Sequence, residues 1–215
     1  MRRFAGTLLI ILGFLCLLAA GLFVRFNYMT QENAGAQAKQ VLMNLEIPRE
    51  TALMQPEDRI LDAAAPTIVA EEIPDYVLNP EMDMPEKEVD GVAYIGALSI
   101  PSLEIDLPII SITTKSLLRI APCRYTGTAY LDNLVIGAHN YSTHFGRIKN
   151  LSYGDLIEFT DMDGNLFVYR VADMEVLNPD QVEDLCSGQW PLTLYTCTVG
   201  GRTRVTVRCD KVEEK

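Results

Sequence analysis

Residues 4–24 carry no charge and are dominated by Leu, Ile and Phe, and this run constrains the chain more than any other feature. As a helix rising 1.5 Å per residue it spans about 30 Å, the thickness of a hydrocarbon core. Arg2 and Arg3 precede it, and Arg25 follows before the chain turns polar. The positive-inside rule then predicts a cytoplasmic N-terminus, with everything after the span outside. The small residues Ala19, Ala20 and Gly21 allow a cleaved signal peptide instead. The run is longer than a usual signal core, which favours an uncleaved single-pass anchor. Either reading exports the remainder.

Beyond the span, residues 31–45 place Ala38, Val41, Leu42 and Leu45 on one stripe at helical spacing, which predicts a short helix or stalk. Residues 46–90 hold six prolines and thirteen acidic against three basic side chains, a composition that keeps a segment extended and solvated. The expected organisation is an anchor over residues 1–25, a helical stalk and acidic Pro-rich linker over 26–90, and a folded domain over 91–215. A net charge of −11 opposes nucleic-acid binding, but much of the acid lies in that linker and says little about a site.

From residue 91 the texture changes to short runs rich in Ile, Val, Leu, Tyr and Thr, bounded by turn residues. Strands are predicted over residues 94–100, 104–110, 134–138, 155–160, 166–176, 192–196 and 204–209, with a helical turn near 114–120. Pro108 favours an edge position in the second of these. The Asp161-Met162-Asp163-Gly164-Asn165 stretch suits a hairpin turn, and its glycine comes too early for a calcium loop of the EF-hand type. Many short strands and little helix predict a closed or nearly closed barrel.

Cys16 lies within the apolar span, leaving Cys123, Cys186, Cys197 and Cys209, whose irregular spacing defines no disulfide framework. There is no Cys-x-x-Cys pair and the chain has two histidines, so no structural metal and no cofactor are expected. Cys197 ends a β-rich run and precedes Thr198-Val199-Gly200-Gly201, a rigid strand end with an open loop beyond it. Arg202, Arg204 and Arg208 follow closely; positive charge stabilises a thiolate and the oxyanion formed when it attacks a carbonyl. His139 likewise follows an apolar strand at a polar loop. Such a pair supplies a nucleophile and an acid for the departing amine. His144, in the loop itself beside Phe145-Gly146, reads as a surface or hydrogen-bonded loop residue.

At these positions the chain resembles the sortases. Thr193-Leu194-Tyr195-Thr196-Cys197, then Arg204, is similar to the family's Thr-Leu-x-Thr-Cys and following arginine; Ile136-Gly137-Ala138-His139-Asn140 is similar to its histidine segment. Phe145-Gly146, Gly154-Asp155 and Phe159 resemble the family as well, as does Tyr94-Ile95-Gly96 with Ile100-Pro101, so the likeness runs over about residues 92–210. It implies a mainly β chain: one eight-stranded sortase-type barrel with short helices behind an N-terminal transmembrane helix. It implies Cys197 as nucleophile, His139 as acid and base, Arg204 as the guanidinium that orients substrate, and Thr196 as a substrate contact. Arg202 and Arg208 are the alternatives to Arg204, which strand alternation favours together with Thr206 and Arg208 on one face.

The implied partners are secreted proteins with a Leu-Pro-x-Thr-Gly-like sorting signal and an amine acceptor on a peptidoglycan precursor or a pilin. The implied setting is a Gram-positive surface. The histidine side looks class B-like, whereas residues 178–191 leave no room for that class's long helix, so the class stays open between B-like and D-like. An exported Cys-His thiol hydrolase and an inactive tethered binding module are the competing readings. An L,D-transpeptidase is disfavoured, because its histidine sits beside its cysteine.

Overall fold

The computed structural model describes residues 2–48 and 73–213, so most of the Pro-rich stretch lies outside the described residues. The apolar run and the stalk are not two elements. With no proline between them they continue as one helix, α1 (Arg2–Leu45), about 66 Å long. Within its first half Ile10, Phe14, Leu18 and Leu22 project away from the protein and stay exposed. Its second half buries Ala34, Ala38, Val41 and Leu45, which recur every three to four residues and form one stripe. Leu42, expected on that stripe, is only half-buried. The Lys87 ammonium donates to the Leu45 carbonyl at 2.6 Å and satisfies one of the acceptors left open at the helix end.

After the undescribed stretch come a single turn, α2 (Asp75–Leu78), and strand β1 (Lys87–Val89). Both fall in the segment read as linker. Met84 is buried in the core and β1 pairs antiparallel with β2, so packed structure begins before residue 91. Then follow β2 (Val92–Ile100), β3 (Ile105–Ile110), β4 (Cys123–Thr126), β5 (Leu134–Ala138), β6 (Leu156–Asp161), β7 (Leu166–Leu177), the turn α3 (Val182–Leu185), β8 (Leu192–Cys197) and β9 (Arg204–Lys211). The helical turn expected near 114–120 is a 3-10 turn over Leu117–Arg119.

Neighbours in the sheet run β2-β3-β4-β5-β8-β9-β7-β6, and β6 pairs back onto β2, closing an eight-stranded barrel with β1 added beside β2. Closure removes exposed sheet edges, which suits strands this short. β3 meets β4 through one parallel pair, Ile110 with Cys123, so the side of β3 holding Pro108 is nearly free of strand partners, as a proline there requires. The second half of α1 packs over this opening. Alternate residues point inward, including Leu98, Ile136, Phe159, Tyr169, Leu194 and Val207, and make the barrel core. A second cluster joins Val41 and Leu45 of α1 to Tyr94, Ile110 and Cys123.

The β6–β7 connection is the predicted hairpin. The buried Asp161 carboxylate organises it, accepting from the backbone N–H of Asp163 and Asn165, the Asn165 amide and the Tyr130 hydroxyl, all within 3.0 Å. Gly164 sits at φ +91°, a conformation that favours glycine.

Candidate active site

Three adjacent strands build the site. β5 and β8 run parallel in register, ending with Ala138 opposite Thr196. One residue further along each strand stand His139 and Cys197, on backbones about 4.8 Å apart. β9 runs antiparallel to β8 and places Arg204 directly opposite Cys197. Because side chains alternate, Leu134, Ile136 and Ala138 on β5 face the core, as do Leu192 and Leu194 on β8. Val135 and Tyr195 belong to a separate cluster on the outer wall with Leu177 and Leu185. His139, Cys197 and Arg204 share the parity of this outer face. The fold therefore brings together all three residues singled out from the sequence, although the thiol and imidazole lie 58 positions apart in the chain.

Thr196, expected to touch substrate, has the opposite parity. It is buried, and its hydroxyl donates to the Ala138 carbonyl at 2.9 Å. Its place is a tie between the ends of β5 and β8, immediately before His139 and Cys197.

The three arginines separate cleanly. Arg208 is buried; its Nε donates to the Glu175 carboxylate at 2.7 Å, and its terminal nitrogens to Thr193 Oγ1 and to the carbonyls of Asp184 and Leu185. Those bonds hold α3 against the barrel wall. Arg202 is exposed on the turn. Arg204 makes no ion pair among the described residues, and its buried Nη1 has no hydrogen-bond partner. A buried N–H on the strand position opposite Cys197 is a donor that can serve a substrate oxygen. What holds this guanidinium is an aromatic face: its carbon lies 5.8 Å from the centre of the Tyr195 ring, within cation–π range.

Tyr195, at the variable position of the Thr-Leu-x-Thr-Cys segment, was not singled out from the sequence. Its ring covers Gly137, packs edge-on to Tyr125 with centroids 5.6 Å apart, and so forms the floor of the wall between β4 and β9. Its role depends on cross-strand neighbours on β4, β5 and β9, which the sequence does not display.

Cys197 is exposed, whereas Cys123 and Cys209 are buried and Cys186 is half-buried; all are free thiols. Burial raises the Cys123 thiol to about 12 and pushes Cys209 up as well, which makes both poor nucleophiles. Burial, aided by the Arg119 charge, lowers the pKa of His139, so its neutral form dominates at neutral pH. The His139 ring lies 5.0 Å from that of Tyr141, which lies 5.4 Å from His144. His144, read as a loop residue, is fully buried, and burial, with the His139 charge adding to it, lowers its pKa to about 4. Neither ring nitrogen makes a well-formed hydrogen bond; the nearby Ala34 backbone offsets the shift in part.

A closed eight-stranded barrel that displays a thiol, an imidazole and an open guanidinium on one wall has the layout of a cysteine acyl-transfer enzyme. Residues 98–212 match the Sortase domain family, and the chain belongs to that family. Sortase A of Bacillus anthracis is 33% identical over 117 residues, an alignment covering 51% of this chain and 54% of the relative, so the chain spans about half the length of that curated relative. Among solved structures, sortase C from Clostridium perfringens SM101 is similar with a TM-score of 0.50 at 26% identity, covering 66% of this chain and 77% of that one. The type I crystal structure of Streptococcus agalactiae sortase C1 also gives a TM-score of 0.50, at 25% identity, covering 57% of this chain and 71% of that one. These neighbours carry a different class letter from the class B-like or D-like pattern read in the sequence.

Proposed function

We propose that this chain is a membrane-anchored cysteine transpeptidase in which Cys197 is the nucleophile, His139 the acid and base, and Arg204 the oxyanion and substrate-orienting donor. The observation that carries this reading is the registry of β5, β8 and β9, with Ala138 opposite Thr196 and Cys197 opposite Arg204. Cys197 gives its proton to neutral His139, and the thiolate adds to a peptide carbonyl carbon. The oxyanion takes up the open Arg204 N–H, worth a factor of about 10²–10³ in rate for a donor of this kind. The C–N bond then breaks, the departing amine takes the proton from the His139 imidazolium, and a thioacyl enzyme remains. An incoming amine attacks the thioester as it loses a proton to His139, and the Cys197 sulfur leaves and takes that proton back, restoring the thiol and the neutral imidazole.

His139's lowered pKa keeps the imidazole neutral and free to take a proton, and makes the imidazolium a stronger acid toward the departing amine. Thr196 acts as a positioning residue in place of the substrate contact expected of it, fixing the two strand ends through Ala138. The helix α1 contains a stretch long and apolar enough to cross a membrane. In this reading it crosses once, with Arg2 and Arg3 inside and the barrel outside. The peptide substrate is a sorting signal of the Leu-Pro-x-Thr-Gly kind on a secreted protein, and the acceptor an amine on a peptidoglycan precursor or a pilin lysine.

The test uses the full chain in lipid nanodiscs with candidate sorting-signal peptides, with and without an added amine, read by mass. Transfer product appearing only with amine, and a thioacyl adduct on Cys197 that is lost in Cys197→Ala, supports the reading. Hydrolysis alone at every amine concentration makes the chain a thiol hydrolase instead.

A further inference from the structure

The outer half of α1 does more than connect. It grips the loop that carries His139. The Gln31 side-chain carbonyl accepts from the Ser142 backbone N–H at 3.1 Å and from the Ser142 hydroxyl at 3.2 Å, and the Gln31 backbone carbonyl accepts from the Thr143 hydroxyl at 3.0 Å. One turn on, helix and loop approach so closely that a Cβ on Gly35 would lie 2.7 Å from Thr143 Cβ. Ala34 and Ala38 are buried beside it, and Ala38 belongs to the barrel core itself. Beneath this contact His144 leads through Tyr141 to His139.

The same helix is the candidate membrane span, and it is unbroken. Between Val24, the last residue of the uncharged run, and Gln31 there is no glycine or proline. Seven residues of helix rise about 10 Å. A helix that meets the bilayer at one end and a catalytic loop at the other transmits position, because neither joint contains a flexible spacer.

We propose that α1 is a rigid bracket that sets the height of the reactive wall, holding the His139 loop about 10 Å above the apolar boundary of the bilayer, a statement resting on the anchor reading above. The bracket selects for substrates whose cleavage point emerges close to the headgroups. It disfavours those that present it higher on a tethered chain.

The experiment inserts helix-forming residues after Phe26 in the full chain reconstituted in nanodiscs. Seven residues raise the barrel by about 10 Å and leave it about 20° from its original facing; eighteen make five whole turns and raise it by about 27 Å. Height is read by energy transfer from a fluorophore on Cys197, in a Cys16→Ser/Cys186→Ser background, to acceptor lipids. Expected is a stepwise fall in transfer efficiency with the two insertions, and a broadened distance distribution in Gly35→Leu, which wedges helix from loop. Unchanged efficiency with eighteen added residues overturns the bracket.

Turnover is read in parallel on one peptide, free or lipid-tethered in the same bilayer. Free-peptide turnover should stay within twofold in both insertion variants, while tethered turnover falls at least tenfold with eighteen residues. Equal tethered turnover at all three heights overturns the selection. Absence of any turnover while the height steps persist sinks the transpeptidase reading and leaves the bracket standing.

Discussion

The ring of Tyr195 lies so close over Gly137 that a methyl group on that glycine would come within 2.5 Å of the ring's Cζ. The absence of a side chain on β5 is what lets an aromatic residue from β8 lie flat across the wall and reach the Arg204 guanidinium. Gly137→Ala should therefore displace Tyr195 and destabilise the fold by about 1–3 kcal/mol, the usual cost of overpacking. In a Tyr195→Leu background the same change should cost less than half as much. A double-mutant cycle on thermal unfolding checks this, and full additivity would show that the two residues do not meet.

Arg204 and Arg208 lie four residues apart on one face of β9 and should fail in opposite ways. Arg204→Ala loses the cation–π contact with Tyr195 and should destabilise by only about 0.5–1 kcal/mol, but lower kcat by about 10²–10³. Arg208→Ala strips partners from Glu175, Thr193 and two carbonyls and should destabilise by about 3 kcal/mol, with activity falling only as folded protein is lost. Paired melting curves and single-turnover rates separate them. Arg208→Ala with normal stability would contradict the structural role.

Thiol labelling should be selective. Cys197 is exposed, whereas Cys123 and Cys209 are buried with raised pKa values, so a soluble electrophile should modify Cys197 well ahead of both in native protein. Denaturation should abolish the difference. Mass mapping of the modified peptides over time is the readout; comparable native rates at Cys197 and Cys209 would count against an accessible nucleophile.

His144 predicts an acid-sensitive fold. Its pKa is about 4 when folded and near 6.5 when free, so between those values the unfolded chain binds more protons. Its contribution is fully present above about pH 6.5 and is lost as pH falls through 4, a change of about 3 kcal/mol. His144→Gln should flatten the stability profile across that window in denaturant titrations. An unchanged slope would mean that another group titrates there.

The strands were legible because β-branched runs are bounded by turn residues, and His139 and Cys197 drew attention because each sits where such a run stops. β8 and β5 came out within a residue of expectation for that reason. β4 did not, since Cys123–Thr126 is too short to show an alternation. The gripping half of α1 looked like a spacer: Ala34 and Ala38 are weak hydrophobic signals, and Gly35 reads as a helix breaker. Its meaning depends on contact with Ser142 and Thr143, more than a hundred residues away, and no local pattern encodes that. Arg208 was ambiguous for the same reason, because its partners lie on β7, β8 and α3. The assignment of a substrate contact to Thr196 followed the motif, whereas its parity on β8 turns it inward.

The side-by-side course of β5 and β8 has a consequence for how this protein can be switched off. Two chains zipped in the same direction over five consecutive pairs cannot splay at their tips without tearing hydrogen bonds that also close the cylinder. Disassembling the chemistry by thermal motion should therefore demand an opening close in size to complete unfolding. Control that acts faster than that has to work on what approaches the wall, or on the loop that starts at His139, one residue beyond the last of those pairs.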